Sequence, residues 1–244
     1  MAGIKQIVSF FIVLAFSFIS LGQQFSSGRI VFERKTNLKK RFGDNPRMKN
    51  FITEQNKYRI ENFELLFNDT SCVFRPIEDE EKIDGFMKFL TQKNTVYQNL
   101  NTREKFIAMD LWGNAMYIKD SMDARNWKIT ESKRYISGYN CRKAIWEMND
   151  STRIYAWFAT EIIPSIGPEG FEGLPGAILG LATEDGGVIY FAKEVKAQET
   201  PKAALQYSEK GKDVYNENQL KAILKQRVGQ WMKPEDIEAM FSWL

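Results

Sequence analysis

The sequence predicts an α+β protein that consists mainly of antiparallel β-structure, as a curved sheet or incomplete barrel covered by a few helices. Short runs of alternating apolar and polar residues recur along the chain with turn residues between them. Two helical patterns follow at the C-terminal end, and 43% of the 244 residues are hydrophobic, which is enough for one substantial core. We therefore expect residues 23–244 to form a single mainly-β domain.

The N-terminal segment has the pattern of a secretory signal peptide. Lys5 precedes an apolar run over residues 7–21, and Ser20 and Gly22 are the small residues that a cleavage site requires. A membrane anchor is the alternative, but the run is short for a transmembrane helix and polar residues follow it. We expect residues 1–22 to be removed and the protein to be exported, periplasmic or associated with the cell surface, and soluble after cleavage.

Six strand-like segments are predicted in the first half of the chain, with a spacing that favours a meander. They are residues 28–36, 62–68, 71–77, 95–99, 104–111 and 114–119. Between the first two, Asn45 and Pro46 supply a cap and a first-turn proline, which predicts a short helix with Met48 and Phe51 on one face. The acidic run 78–84 is expected to be a solvated loop rather than a calcium site.

The second half of the chain continues the same strand pattern and then becomes helical. A turn rich in glycine and acidic residues, 183–187, separates the last two predicted strands. Residues 216–228 and a segment that begins at Pro234 predict two C-terminal helices that cover the sheet. The predicted strands are residues 128–130, 133–138, 142–148, 154–160, 177–181 and 188–195.

Composition excludes several kinds of functional site. The chain has no histidine, which removes Ser-His-Asp and Cys-His catalysis as well as histidine-ligated zinc and haem. No spacing of carboxylates, lysines, tyrosines or serines indicates a reaction. The 34 basic and 31 acidic residues nearly balance, which is not typical of nucleic-acid binding. We expect no catalysis, no metal, no cofactor and no nucleic-acid partner.

Export would permit the two cysteines, Cys72 and Cys141, to form a disulfide. The alternative is a pair of buried free thiols. We favour the disulfide, because neither cysteine lies beside a second cysteine or another feature that activates a thiolate.

Two elements of the sequence carry a resemblance to a known family. One is Gly173-Leu174-Pro175-Gly176 with its surroundings over residues 156–164 and 167–179, and the other is Gly138-Tyr139-Asn140-Cys141-Arg142-Lys143-Ala144. In order and spacing they are similar to the signature of the GLPGLI family, secreted envelope proteins of the Bacteroidota without an assigned biochemical role. The resemblance covers mainly residues 133–195 and implies a secreted envelope protein.

The GLPG segment has a physical interpretation that does not depend on the family. Pro175 fixes one backbone dihedral, while Gly173 and Gly176 permit positive φ and close approach of the backbone. Leu174 is then displayed outward as an apolar contact or turned inward to plug the end of the sheet, and we favour the inward position. In this chain Ala177 replaces the leucine that the family usually has after GLPG.

Nearby side chains extend the candidate site. Trp157 either stacks on a ligand or packs in the core. Glu161 is a candidate acid or base, although hydrogen bonding to the amides of the GLPG loop is the role we favour. The candidate contact residues are Trp157, Phe158, Glu161, Gly173, Leu174, Pro175, Gly176 and Ile178.

The sequence leaves two classes of function. The first is an exported binding or carrier protein that holds a lipid-like or peptide-like ligand on a curved sheet, with Trp157, Phe158, Leu174 and Ile178 near the mouth. The second is an accessory protein that docks on an outer-membrane receptor or transporter through the loop 167–176.

Overall fold

The computed structural model describes residues 24–42, 48, 50–77, 90–150 and 152–241. The predicted signal peptide, the acidic run 78–84 and the predicted helix start at Asn45 lie outside these ranges. The described residues form twelve strands and three α-helices: β1 (Gly28–Asn37), α1 (Leu38–Phe42), β2 (Tyr58–Phe67), β3 (Ser71–Pro76), β4 (Thr95–Asn99), β5 (Glu104–Leu111), β6 (Asn114–Ser121), β7 (Lys128–Ile136), β8 (Tyr139–Asn149), β9 (Thr152–Ala159), β10 (Ala177–Thr183), β11 (Val188–Ala197), β12 (Val214–Tyr215), α2 (Glu217–Val228) and α3 (Pro234–Ala239).

All twelve strands belong to one open sheet with the order β12-β6-β5-β4-β3-β2-β1-β11-β10-β9-β8-β7. Every neighbouring pair is antiparallel except β12 and β6. The sheet therefore consists of two antiparallel meanders, β2 to β6 and β7 to β11, which β1 joins by pairing with both β2 and β11. The predicted mainly antiparallel fold is confirmed.

The sheet curves around one large core, and a second, smaller cluster of buried side chains consists of Leu38, Met48, Ile52 and Leu90. Buried side chains from both meanders belong to one cluster, and the segment between β9 and β10 packs against β3 and β4 in the other meander. Strand β1 contributes to this interior through every second residue. Its buried residues Ile30, Phe32, Arg34 and Thr36 lie on the inner face of the sheet, as the two-residue period of a strand requires. Three of these inward residues are apolar or small, whereas Arg34 places a charge inside the core.

The C-terminal helices cover part of the sheet, as predicted. Helix α2 begins with a capping box in which the side chain of Asn216 accepts from the backbone N–H of Gln219, and the Gln219 side chain accepts from the N–H of Asn216. Helices α2 and α3 pack their apolar faces into the core cluster through Leu220, Leu224 and Ile237, and Phe241, just after α3, belongs to the same cluster. Within the described ranges, no helix has the length and apolarity needed to cross a membrane.

The helix expected from residue 45 onward is wrong in its described part, because residues 50–57 form turns. The side chain of Asn56 explains the difference. It accepts from the backbone N–H of Thr53 at 2.7 Å and donates to the carbonyl of Phe51 at 2.9 Å. Such side-chain bonds to the backbone compete with the helical pattern.

The two ends of the sheet differ. At one end, which we call the filled end, β9 stops at Ala159 and β10 starts at Ala177. At the opposite end, which we call the cleft end, β1 stops at Asn37 opposite Tyr58, and the turn between β5 and β6 lies on the same side.

Candidate functional site

The residues expected near a ligand mouth lie in the core instead. The side chains of Phe158 and Ile178 are fully buried, and Leu174 is 2% exposed. Trp157 precedes Phe158 on β9 and therefore lies on the other face of the sheet. There its ring packs 5.7 Å from that of Phe191, beneath the guanidinium of Arg134. The structure does not bring these side chains together around a mouth.

The GLPG segment is a tightly fitted turn. Gly173 has φ +97° and Gly176 has φ +135°, values that favour glycine. A Cβ atom on Gly176 would lie 2.1 Å from the carbonyl oxygen of Ala159. Leu174 points inward, so the inward alternative is the one that the structure shows.

Glu161 does not have the role predicted for it. The backbone N–H of Gly173 donates to Oγ of Ser165 at 2.7 Å, and the N–H of Gly176 donates to the carbonyl of Leu174. The carboxylate oxygen Oε2 of Glu161 is buried and has no hydrogen-bond partner among the described residues. Ser165 therefore satisfies the loop amide that we assigned to Glu161.

Both cysteines are free thiols, so the predicted disulfide is not formed. Cys72 lies on β3 and Cys141 on β8, with five strands between them in the sheet. The Cys72 thiol donates to Oε1 of Gln98 at 3.3 Å, and the Cys141 thiol contacts the carbonyl of Tyr139. Burial raises the pKa of each thiol to about 12, so neither is activated as a thiolate.

The segment between β9 and β10 fills the interior of the curved sheet, and we call residues 160–176 the plug loop. Its carbonyl at Gly170 accepts from Nε2 of Gln98 on β4 at 3.1 Å. The carboxylate of Glu172 pairs with Arg103 at 3.0 Å, and Nε1 of Trp127 donates to the carbonyl of Glu172 at 2.9 Å. The plug loop is thus fastened to the meander that lies opposite in the curve.

The tip of the plug loop places a carboxyl group inside the protein. Glu169 has φ +51°, which is uncommon for a residue other than glycine, and its side chain is 1% exposed. Its Oε1 accepts from the hydroxyl of Tyr190 at 2.7 Å and lies 3.6 Å from Nη1 of Arg34. Its Oε2 has no hydrogen-bond partner among the described residues. Burial raises the pKa of Glu169 to about 7.

Arg34 joins the plug tip to a second carboxylate. Its Nη2 donates to Oε2 of Glu61 at 2.6 Å, and its guanidinium lies 4.5 Å from the ring centroid of Phe63. Burial opposes the charge of Arg34, but Tyr190, Glu61 and Glu169 outweigh it and raise the pKa. Burial likewise opposes the charge of Glu61, but Arg34 outweighs it and lowers the pKa. We call Arg34, Glu61, Glu169 and Tyr190 the buried polar cluster.

A cleft with a volume of about 760 Å³ opens at the cleft end of the sheet. Four parts of the chain line it: residues 41–42 of α1, residues 90–92, residues 110–112 at the turn between β5 and β6, and residues between 231 and 240 in and around α3. Its volume lies within the roughly 300–1,000 Å³ typical of small-molecule sites.

The cleft and the buried polar cluster share a wall. Thr91 and Gln92 line the cleft, and the same two residues contact the cluster. Oγ1 of Thr91 donates to Oε1 of Glu61 at 2.8 Å, and the carbonyl of Gln92 accepts from Nη2 of Arg34 at 2.7 Å. A change in the cluster would therefore alter the hydrogen bonds of Thr91 and Gln92 in the wall of the cleft.

Two tryptophans stand at the rim of the cleft. Trp231 is 87% exposed, and Trp112 is 47% exposed and has φ +51° in the two-residue turn that Gly113 completes. A bulky aromatic residue in the left-handed region is a backbone outlier, and such outliers cluster at functional sites. Sequence reasoning missed the cleft, because its residues come from four distant parts of the chain.

Within the described ranges, no group of three metal-ligating side chains is close enough to hold a metal ion. The arrangement provides an amphipathic cleft at the end of the sheet, a wall formed by Thr91 and Gln92, and a charged cluster behind that wall. These features are suited to holding a ligand of small-molecule size.

The fold and the site together define a class of protein: an open antiparallel sheet whose interior is filled by its own loop and whose end carries a cleft. No family model and no curated protein matches the chain. The chain is similar to PNGF-II in two solved structures, in space groups C2 and P21, with TM-scores of 0.53 and 0.54 and identities of 16% and 15%.

These alignments cover 82% and 81% of this chain but only 32% and 33% of the PNGF-II chain, so the protein spans about a third of the length of PNGF-II. An uncharacterized conserved protein from Thermus thermophilus aligns over 78% of this chain and 90% of its own, with 8% identity and a TM-score of 0.42. At such identities the likeness to PNGF-II is a likeness of fold.

Proposed function

We propose that the protein is an exported cell-envelope binding or carrier protein that holds an apolar or peptide-like ligand, without catalysis. The observation that carries this proposal is the cleft of about 760 Å³ at the end of the sheet. Its described lining combines eight apolar residues, among them Leu90, Leu111 and Met240, with six polar or charged ones. Ligand sites likewise combine an apolar surface with polar groups that orient the ligand.

The position of the site differs from the position that the sequence predicted. Trp157, Phe158, Leu174 and Ile178 serve the core of the sheet and the fit of the plug loop. They shape the protein behind the ligand site rather than contact the ligand. In this proposal Trp112 and Trp231 at the rim of the cleft contact the ligand, which is the role that the sequence-based hypothesis gives to the mouth residues.

Export and membership in the GLPGLI family are part of the same proposal. The signal-like pattern of residues 1–22 and the elements at 138–144 and 173–176 support them. The backbone of the GLPG turn adds support, since Gly173 and Gly176 both have the positive φ that explains why this motif contains glycine.

Docking on an outer-membrane receptor or transporter through the loop 167–176 has less support. That alternative requires an exposed apolar contact at Leu174, and the side chain of Leu174 is 2% exposed. We therefore place the ligand contact at the cleft.

An apolar fluorescent probe tests the proposal directly. N-phenyl-1-naphthylamine should gain fluorescence with the protein, and Ala239→Trp, which places a large side chain in the cleft, should lower the probe's affinity by about tenfold. Ala203→Trp is the matched control, because Ala203 is exposed and lies outside the cleft. Equal affinity of both variants and the unchanged protein would contradict a ligand site in the cleft.

A further inference from the structure

Two cations that line the cleft, Arg41 in α1 and Lys233 at the N-cap of α3, form no ion pair with any described residue. Glu61 acts on the charge of Arg41 only from beyond ion-pair distance. Two other cations near the cleft end are paired, Lys39 with Glu54 and Lys40 with Asp185, and Lys35 lies over the ring of Tyr58. Unpaired cations in an apolar setting are suited to an anionic group of a ligand.

The acidic residues of the cleft do not supply this partner. Asp110 is held locally, since its Oδ1 accepts from the backbone N–H of Gly113 at 2.9 Å, within the tight turn that carries Trp112. Asp236 forms no ion pair with Lys233, although both line the cleft.

The charged residues behind the wall also favour a negatively charged ligand. Three cations converge on Glu61: Arg34 at 2.6 Å, Arg59 at 3.4 Å and Lys93 at 3.7 Å. Glu169 also lies 3.6 Å from Arg34, but two carboxyl groups do not neutralise three cations. The excess positive charge acts across the wall that Thr91 and Gln92 form, and attracts anions to the cleft.

The remaining surface of the cleft is suited to a hydrocarbon chain. Leu111, Met232 and Met240 line it, with Trp112 and Trp231 at the rim. Methionine adapts its shape to flexible apolar ligands, and tryptophan combines a large apolar face with one polar group.

We propose that the cleft binds an anionic amphiphile, with its carboxylate or phosphate group held by Arg41 and Lys233 and its chain packed against Met232 and Met240. This inference rests on the proposed ligand-binding function and names the ligand class. The same chemistry occurs in fatty acids and in phospholipid head groups, so the test contains both kinds of group.

The test compares four probes with the same twelve-carbon chain by isothermal titration calorimetry, below their micelle concentrations. They are dodecanoate, dodecyl phosphate, dodecanol and dodecyltrimethylammonium. At least one anionic probe should bind about tenfold more tightly than dodecanol, and the cationic probe should bind more weakly than dodecanol. Preference for dodecanoate would indicate a carboxylate source, and preference for dodecyl phosphate would indicate a phosphate source.

The variant Arg41→Gln/Lys233→Gln should weaken binding of the preferred anion by about tenfold and leave dodecanol binding unchanged. The matched control is Lys133→Gln/Lys210→Gln, which removes the same charge from two exposed lysines outside the cleft. An equal loss in the control pair would overturn the inference, because it would show a general charge effect.

The proposed ligand-binding function and the proposed anionic ligand class can be contradicted separately. If dodecanol binds as well as both anions and Ala239→Trp weakens all of them, the ligand site stands and the anionic class is wrong. If neither these probes nor N-phenyl-1-naphthylamine binds, the proposed function itself is contradicted.

Discussion

The filled end and the cleft end of the sheet differ in how the interior is covered. At the filled end the plug loop covers the interior, and the backbone N–H groups of Gly173 and Gly176 are hydrogen-bonded. At the cleft end a cleft of about 760 Å³ remains open, and Arg41 and Lys233 line it without an ion pair to any described residue. The difference indicates that the GLPG motif is structural, and it is the reason why we propose a ligand site at the opposite end.

The largest effect should come from a side chain placed at the filled end. Gly176→Val should prevent stable folding, because its Cβ atom would lie 2.1 Å from the Ala159 carbonyl at a φ of +135°. Gly186→Val is the control, since Gly186 also has positive φ but no atom within 4 Å of the added Cβ. Thermal unfolding of both variants measures the contrast, and equal melting temperatures would show that the turn tolerates a side chain.

The next largest effect should come from Arg34, which contacts Glu169 of the plug loop and Glu61 behind the wall of the cleft. Arg34→Met should lower the free energy of unfolding by about 3–5 kcal/mol, because it leaves Glu61 and Glu169 buried without their shared cation. Arg29→Met on the same strand removes the more exposed ion pair with Glu64 and should cost about 1 kcal/mol or less. Urea unfolding gives both values, and similar costs would contradict a special role for the cluster.

A smaller effect should appear as pH dependence. The pKa of Glu169 is about 7 in the folded protein and near 4.5 in the unfolded chain. The protonated carboxyl is therefore favoured by folding. Its contribution is fully present below pH 4.5 and is lost as the pH rises through 7, by at most about 3 kcal/mol.

Glu169→Gln should remove this dependence, because the amide does not titrate. Unfolding free energies measured at intervals from pH 4.5 to 8 should therefore decline less steeply in the variant than in the unchanged protein. Glu209→Gln, at an exposed residue paired with Lys119, is the control. Parallel curves for Glu169→Gln and the unchanged protein would show that Glu169 does not titrate in this range.

The smallest effect distinguishes stability from binding at the cleft end. Trp112→Asn should raise the free energy of unfolding by about 0.5–1 kcal/mol, because asparagine tolerates the positive φ of this turn better than tryptophan. It should also weaken binding of the apolar probe. Trp231→Asn should weaken binding without the gain in stability, since no positive φ is present at Trp231. A Trp112 variant that is no more stable would show that the turn is unstrained.

Much of the fold is predictable from the sequence, because strand periodicity is a local signal. The predicted strands at 95–99 and 104–111 have the bounds of β4 and β5. The sequence predicts two pieces, 128–130 and 133–138, where the structure has the single strand β7, and the gap between them coincides with an irregularity in the pairing of β7 between Ile129 and Lys133.

The candidate site is less predictable, because it depends on distant contacts. Arg34 and Tyr190 are hydrogen-bonded across 156 positions of the chain, and no local pattern pairs them. One signal was present in the sequence: Arg34 follows Ile30 and Phe32 at the inward positions of a strand, where a charge needs a buried partner. The side chains of Phe158, Leu174 and Ile178, which the sequence places near a mouth, are buried, because the motif that is easiest to recognise shapes the core.

The place of β1 between the two meanders has a consequence for how the chain folds. Its neighbour β2 follows soon after it, but its other neighbour, β11, comes more than a hundred positions later. Contacts of such sequence separation slow folding. Until β11 is available, one edge of β1 has unpaired backbone groups beside Ile30 and Phe32, a template for aggregation. A chain shortened before Val188 should therefore aggregate rather than form half of the sheet.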